Sequence, residues 1–289
     1  MHARGKPFDK DVQLANIAAR TSGFSGAQLQ NLLNEAAIVA ARRNCTAISY
    51  NEVDYAIDRL TVGMQKETGT NIKSRQELVA YHEAGHAIMA LVTPDYDTVT
   101  KVTIIPRSNG AGGFTLFTPS DERLESGMYT KTYLLGQLSV ALGGRVAEEL
   151  VYGEEEVTTG ASNDLQQVRD IARRMVAQWG FTVSGADLGI VGWEAPDAGR
   201  YSAVTRSTDT DFKIDEEVMA ITDLAYARCK EALAKHRGLM DMLVDKLLEV
   251  ETVSAKELLA MLEAYDPKLA QDLDKQPPPD SETVLTPAI

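Results

Sequence analysis

The sequence contains few cysteines and few histidines. Cys45 and Cys229 are its two cysteines among 289 residues, and they match no metal-binding spacing. Two lone thiols are typical of a protein from a reducing compartment, and we interpret both as packing residues. Because the chain has four histidines in all, two of them close together in sequence are informative.

Long apolar runs, a signal peptide and a positive net charge are also lacking. No apolar run reaches the length of a membrane helix, so the sequence predicts no membrane segment in this chain. Residues 1–6 are basic but have no apolar segment, which argues against a signal peptide. The net charge of -13 argues against a nucleic-acid partner. No G-x-x-x-x-G-K-[ST] phosphate loop occurs, so we expect that this chain alone hydrolyses no ATP.

The residues with catalytic potential are concentrated between Ser74 and Pro94. Ser74 and Glu77 form a capping-box pattern that predicts the start of a helix, and Pro94 predicts its end. On this helix His82 and His86 lie one turn apart and share a face. Two imidazoles at that spacing can bind one Zn²⁺.

Glu83 completes an H-E-x-x-H signature with these histidines, and this pattern is typical of zinc peptidases. Glu83 is expected to act as general base toward a water on the metal. The alternative is a buried helix with two ordinary histidines. However, two imidazoles and a carboxylate without partners would be costly to bury in so apolar a helix, which favours the metal site.

The pattern of caps, turns and apolar residues predicts a mainly α-helical fold. Residues 1–63 are predicted to form a small helical unit and residues 64–73 a linker. Residues 74–265 form the larger domain, which contains one short β-hairpin. Residues 266–289 include three consecutive prolines and are predicted to be a disordered tail. After the hairpin, helices are predicted at residues 129–152, 162–179, 211–236, 239–250 and 254–265.

A catalytic zinc site usually has three protein ligands, so the histidine pair requires one more. The other two histidines lie at the chain start and at a helix end, which makes a carboxylate the better candidate. Asp164 belongs to the first turn of a predicted helix, where the helix dipole alone would also favour an acid. Glu148 shares a helical stripe with small residues, where it is either a ligand or an acceptor for a histidine N–H. The residues alone leave both assignments open.

Three blocks of the sequence resemble the peptidase domain of the FtsH family, the membrane-anchored, ATP-dependent zinc metalloproteases. The blocks are residues 82–86, 143–149 and 159–165, and their order and spacing both agree with the family. The resemblance covers roughly residues 3–265. Residues 78–81 and 104–107 also resemble the cyanobacterial and plastid branch of the family.

The resemblance implies roles for the candidate residues of the site. His82, His86 and Asp164 would bind Zn²⁺, and Glu83 would be the catalytic base. Glu148 matches a family glutamate beside the site, where it would contact a ligand. The family fold is mainly α-helical, with a short β element at the cleft.

Two further segments gain an interpretation from the family. The run Phe114, Thr115, Leu116 and Phe117 would be an edge strand that pairs with an extended substrate, with a plain core hairpin as the alternative. Ser25, Gly26 and Ala27 would lie near the nucleotide in the lid of an AAA+ module, although Gln28 replaces the usual Asp. By itself, the Ser25 segment shows only a helix N-cap with small residues.

The family also implies a function and partners. The leading hypothesis is a zinc-dependent endopeptidase domain that acts on unfolded or membrane-extracted polypeptides, within a homo- or hetero-hexamer. Full-length relatives use ATP and Mg²⁺ and are associated with the plasma or thylakoid membrane, on the cytoplasmic or stromal face. The chain resembles a fragment of such a protein. The rival hypothesis is a catalytically silent, zinc-containing helical assembly module, but the presence of Glu83 argues against it.

Overall fold

The computed structural model is mainly α-helical with one small β-sheet, which confirms the predicted fold class. Within the part of the chain that it describes, no helix is long and apolar enough to cross a membrane. The described residues are 2–21, 23–66, 73–108, 110–185, 187–194 and 207–273.

The first helical unit has an apolar core of its own. Ser25 caps its second helix by accepting a hydrogen bond from the backbone N–H of Gln28. The predicted capping box of Ser49 and Glu52 also forms, and it starts the third helix. The helices are α1 (Leu14–Arg20), α2 (Gly26–Arg42) and α3 (Tyr50–Thr61). The buried residues of the core of this unit are Ile17, Leu32, Ala36, Ala40, Ile48, Val53, Ala56 and Ile57.

The larger domain is built around helix α4 (Lys73–Val92), which is apolar on nearly all sides and therefore buried. Because α4 begins at Lys73, the prediction of Ser74 as its N-cap is wrong, whereas the helix does end before Pro94. The elements after α4 are β1 (Thr98–Thr103), β2 (Phe114–Thr118), α5 (Asp121–Ser126), α6 (Lys131–Ala141), α7 (Gly143–Tyr152), α8 (Ser162–Ala177), α9 (Thr208–Lys235), α10 (Arg237–Val250), β3 (Thr252–Ser254), α11 (Ala255–Tyr265) and α12 (Pro267–Leu273).

The sheet has three antiparallel strands in the order β2-β1-β3. The predicted hairpin is confirmed as β1 and β2, which pair from Thr98 with Thr118 to Thr103 with Phe114. Strand β3 was not predicted, and it pairs with β1 across about half of the chain. Among the described residues β2 has β1 as its one strand partner, so its other side is a free edge.

The prediction of one helix over residues 129–152 is wrong, because the chain breaks at Leu142 into α6 and α7. The break brings Gly143 against α4: a Cβ at Gly143 would lie 2.6 Å from the carbonyl oxygen of Gly85. The predicted disordered tail is also wrong in its first part. Helix α12 forms there, and its residue Ala270 packs into the main core. Residues 274–289 lie outside the described residues.

The first unit contacts the sheet through buried ion pairs. Asp58 of α3 accepts hydrogen bonds from Lys101 at 2.9 Å and from Arg107 at 3.0 Å. Asp54 pairs with Lys101 and with Arg20, each at 2.6 Å. Residues 64–66 of the predicted linker pair with residues 106–108 through backbone hydrogen bonds, and residues 67–72 lie outside the described residues.

Candidate metal centre

Three of the predicted site residues meet at one point. The Nε2 atoms of His82 and His86, one turn apart on α4, are separated by 3.2 Å. Oδ2 of Asp164 lies 3.3 Å from Nε2 of His82 and 3.6 Å from Nε2 of His86. Asp164 reaches them from the first turn of α8, which a short 3₁₀ turn at Thr159–Ala161 precedes.

The spacing of these three atoms fits a zinc ion. Bonds of about 2.0 to 2.2 Å in a tetrahedral site separate the ligand atoms by about 3.3 to 3.5 Å. The three observed separations, 3.2, 3.3 and 3.6 Å, bracket that range. Two imidazole nitrogens and one carboxylate oxygen are also a donor set that zinc accepts in catalytic sites. These three side chains could therefore hold one metal ion between them.

The outer nitrogen of each imidazole is held by a hydrogen-bond acceptor. Nδ1 of His86 lies 2.8 Å from the carbonyl oxygen of Val140, and Nδ1 of His82 lies 2.7 Å from Oε1 of Glu148. Since a carbonyl or a carboxylate can only accept, both Nδ1 atoms carry the proton. In the neutral imidazoles the lone pair is then on Nε2, on the side of Asp164. Such contacts orient histidine ligands in metal sites.

Glu148 is enclosed and faces away from the metal position. Its side chain is 0% exposed, and its second oxygen accepts a hydrogen bond of 2.7 Å from the backbone N–H of Thr158. Burial alone would raise the pKa of Glu148, but the hydrogen bonds from His82 and Thr158 lower it. The next residue, Glu149, instead pairs with Tyr226 and Lys230. Of the two acids left open by the sequence, the structure brings Asp164 to the ligand position.

The charges of the centre favour a bound cation. Burial alone would lower the pKa of His82, but hydrogen bonds with Asp164 and Glu148 raise it to about 10. Burial alone would raise the pKa of Asp164, but hydrogen bonds with the two imidazoles bring it below its usual range. The carboxylates beside the two imidazoles thus favour positive charge at the centre. Either a proton on His82 or a metal ion supplies it, so metal binding would release that proton.

Glu83 lies on α4 beside the ligands and contacts strand β2. It is 7% exposed, and its Oε2 accepts a hydrogen bond of 2.9 Å from the hydroxyl of Thr115. Burial raises the pKa of Glu83, while the two imidazoles and the Thr115 hydroxyl oppose that shift. A carboxylate with a raised pKa is a better proton acceptor than an exposed one.

The remaining predicted residues lie on the edge strand and in the first unit. Phe114, Thr115, Leu116 and Phe117 form most of β2, and only Thr115 of the four contacts Glu83 in the described hydrogen bonds. Ser25, Gly26 and Ala27 form the start of α2, where Gln28 closes the capping box with Ser25. This explains locally why Gln is accommodated after Ala27.

Sequence reasoning missed one contributor to the centre and anticipated another in part. The Val140 carbonyl that accepts the hydrogen bond from His86 is a backbone group near the break between α6 and α7. No side-chain pattern in the sequence could therefore predict this contact. Gly144 lies against the His82 ring: a Cβ there would be 2.5 Å from Nε2 of that ring. The small residues on the stripe of Glu148 predicted a close helix approach here, but not that the His82 ring occupies the space.

A helix that presents His82, Glu83 and His86, completed by a carboxylate from a second helix, defines a metal centre of the metallopeptidase type. The comparison with known families agrees with this class. The profile of peptidase family M41 matches residues 70–261, and that of an AAA+ lid domain matches residues 11–54. The chain belongs to peptidase family M41.

Curated relatives extend the match over nearly the whole chain. "ATP-dependent zinc metalloprotease FtsH 3" of Synechocystis is 51% identical over 93% of this chain and 44% of its own length. "ATP-dependent zinc metalloprotease FTSH 1, chloroplastic" of Oryza sativa is 44% identical over 90% of this chain and 38% of its own length. The resemblance to the FtsH family is therefore confirmed, and this chain spans less than half the length of these relatives.

Proposed function

We propose that this chain is the peptidase part of an FtsH-type protease and hydrolyses peptide bonds in unfolded or membrane-extracted polypeptides. The observation that carries the proposal is the spacing of three potential ligand atoms, which fits a tetrahedral zinc site. In addition, both imidazoles are oriented by hydrogen bonds at Nδ1. In this proposal His82, His86 and Asp164 hold Zn²⁺. Glu148 keeps His82 in the tautomer and orientation that the metal needs.

The proposed reaction assigns the proton transfers to Glu83. Zinc, when bound, supplies a Lewis acid that polarises the scissile carbonyl and makes a nearby water more acidic. The carboxylate of Glu83 accepts a proton from that water and then gives it to the departing amine nitrogen. Its burial supports this role, because a low-dielectric environment raises the basicity of a carboxylate.

Strand β2 is the proposed substrate strand, through Phe114, Thr115, Leu116 and Phe117. Within the described part of the chain no strand pairs with the side of β2 opposite β1, and an extended peptide could pair there. Gly113, just before the strand, lies against the stem of Glu83, since a Cβ there would be 3.0 Å from Cγ of Glu83. A peptide aligned on β2 would therefore pass close to the proposed base.

The longer protein is part of the proposal. Residues 1–63 would belong to the lid of an AAA+ ATPase and residues 74–265 to the peptidase domain, in support of which the two family profiles match residues 11–54 and 70–261. Ser25, Gly26 and Ala27 would approach a nucleotide held elsewhere. The names of the relatives, as ATP-dependent zinc metalloproteases, support the use of ATP by the longer protein. We further propose a hexamer that uses ATP and Mg²⁺ to deliver substrates at a plasma or thylakoid membrane.

The test is the isosteric change Glu83→Gln in zinc-loaded protein, with zinc content and casein cleavage measured on the same sample. We expect unchanged zinc content and a loss of cleavage of about 10² to 10⁴-fold, because the amide accepts no proton. Glu52→Gln makes the same change at the cap of α3 and serves as the matched control. Cleavage near the wild-type rate would remove Glu83 from the mechanism. A zinc-loaded wild type that cleaves nothing would instead favour the silent assembly module.

A further inference from the structure

Thr115 connects the edge strand to the proposed base. Its hydroxyl oxygen lies 2.9 Å from Oε2 of Glu83 and 3.2 Å from the backbone carbonyl oxygen of the same residue. A threonine hydroxyl has one proton to donate, and the shorter contact is the one with the carboxylate. Thr115 is the residue through which β2 reaches Glu83 by a side-chain hydrogen bond.

The contact fixes which carboxylate oxygen is free. Among the described residues, none donates a hydrogen bond to Oε1 of Glu83, whereas Oε2 is engaged by Thr115. Gly113, just before β2, lies close to the stem of the same side chain, since a Cβ there would be 3.0 Å from Cγ of Glu83. A glutamate has three rotatable side-chain bonds, and the hydrogen bond from Thr115 holds the carboxylate end of this one.

We propose that Thr115 is a positioning residue for the peptidase reaction. Its hydroxyl holds Oε2 of Glu83 so that Oε1 faces the reacting water, and it couples this orientation to the strand on which the substrate lies. The inference rests on the proposed function, in which Glu83 is the base. If Thr115 were present only for its β propensity, its hydroxyl group would not be needed for the reaction.

Three variants separate the hydroxyl from the shape of the residue. Thr115→Val keeps the branched shape and the strand propensity but removes the donor, and Thr115→Ser keeps the donor. Thr118→Val is the matched control, because Thr118 lies on the same strand and its hydroxyl bonds with Thr100 at 2.6 Å.

The kinetic result expected is a change in kcat. In zinc-loaded protein Thr115→Val should lower kcat about 10- to 100-fold with KM and zinc content unchanged, as loss of an orienting contact does. Thr115→Ser should recover most of kcat, and Thr118→Val should behave as wild type. A rise in KM without a fall in kcat would overturn the inference, because it assigns Thr115 to substrate binding alone. Equal effects of the Thr115 and Thr118 changes would overturn it as well.

A second measurement is independent of zinc and of activity. A double-mutant cycle on unfolding combines Thr115→Val with Glu83→Ala, since an alanine, unlike a glutamine, leaves no acceptor. The two changes should be coupled by about tenfold or more in the unfolding equilibrium constant. The same cycle with Thr118→Val should show no coupling.

The two measurements distinguish the inference from the function on which it rests. An active wild type with no coupling between Thr115 and Glu83 would overturn the inference and leave the proposed function intact. An inactive zinc-loaded wild type would overturn the proposed function and with it the catalytic meaning of the contact, while the cycle still reports whether the contact exists. Coupling together with a selective loss of kcat supports both.

Discussion

The close contact of α4 with α7 can be tested by Gly85→Ala. A Cβ at Gly85 would lie 2.2 Å from the carbonyl oxygen of Gly143 and 2.7 Å from Cβ of Ala147. Nonbonded heavy atoms are normally more than 3 Å apart, so α7 would have to move away by about 1 Å. The obstructing atoms include backbone, which cannot turn aside as a flexible side chain can.

Two effects of opposite sign determine the change in stability. Alanine is a better helix former than glycine by about 1 kcal/mol, which favours the variant. Overpacking of a tight contact costs about 1 to 3 kcal/mol, and the backbone clash puts Gly85→Ala at the upper end. The free energy of unfolding should therefore fall by about 2 kcal/mol. Because α7 also bears Glu148, its displacement should weaken Zn²⁺ binding by about 10- to 100-fold.

The assay compares thermal unfolding of the metal-free protein and competition with a chelator for Zn²⁺. Gly238→Ala is the matched control: it also lies within a helix, and the three atoms nearest to its Cβ would all belong to the Tyr265 side chain, the nearest at 3.1 Å. The control should bind zinc as wild type does. If Gly85→Ala unfolds at or above the wild-type temperature and keeps its zinc affinity, the argument from the helix contact is refuted.

Three further predictions concern the centre and the buried ion pairs. Glu148→Gln should weaken Zn²⁺ binding about 10- to 100-fold, and Asp164→Asn should weaken it more. The measurement is competition with a chelator, and the reverse order would exchange the roles of the two acids. Asp58→Asn should lower the free energy of unfolding in urea by about 3 kcal/mol, because two buried cations lose a charged partner; a change within error would contradict this. Burial alone would raise the pKa of Asp54, but Lys101 and Arg20 lower it. Its stabilising effect, measured against Asp54→Asn, should be constant near neutral pH, start to decrease as the pH falls through about 4, and disappear only below the lowered pKa of Asp54.

Local elements were predictable from the sequence because their causes are local. Capping residues such as Ser49 and Ser254 act on the backbone three residues away, and both capping boxes form. The i, i+4 spacing of His82 and His86 likewise determines that they share a face on any helix. These regularities gave the helical class and the histidine pair without reference to the rest of the fold.

Contacts between distant segments could not be predicted in the same way. Strand β3 pairs Val253 with Val102. Because it has only three residues, it is too short to show the alternating apolar pattern that predicts a strand. The choice between Asp164 and Glu148 needed the positions of α7 and α8 relative to α4, since both acids suit a helical stripe near the site. The ion pairs of Asp58 also connect segments that are more than 40 residues apart.

Helix α7 contributes no ligand to the centre, yet the geometry of the metal position depends on it. Gly144 leaves the space that the His82 ring occupies, because any side chain there would overlap the ring. One turn later Glu148 accepts a hydrogen bond from Nδ1–H of His82, and the backbone N–H of Thr158 donates to its second carboxylate oxygen. The spacing of Gly144 and Glu148, i and i+4, equals the spacing of the two histidines, so one helix turn of α7 faces one helix turn of α4. The second sequence block is thus explained by the orientation of an imidazole that belongs to the first.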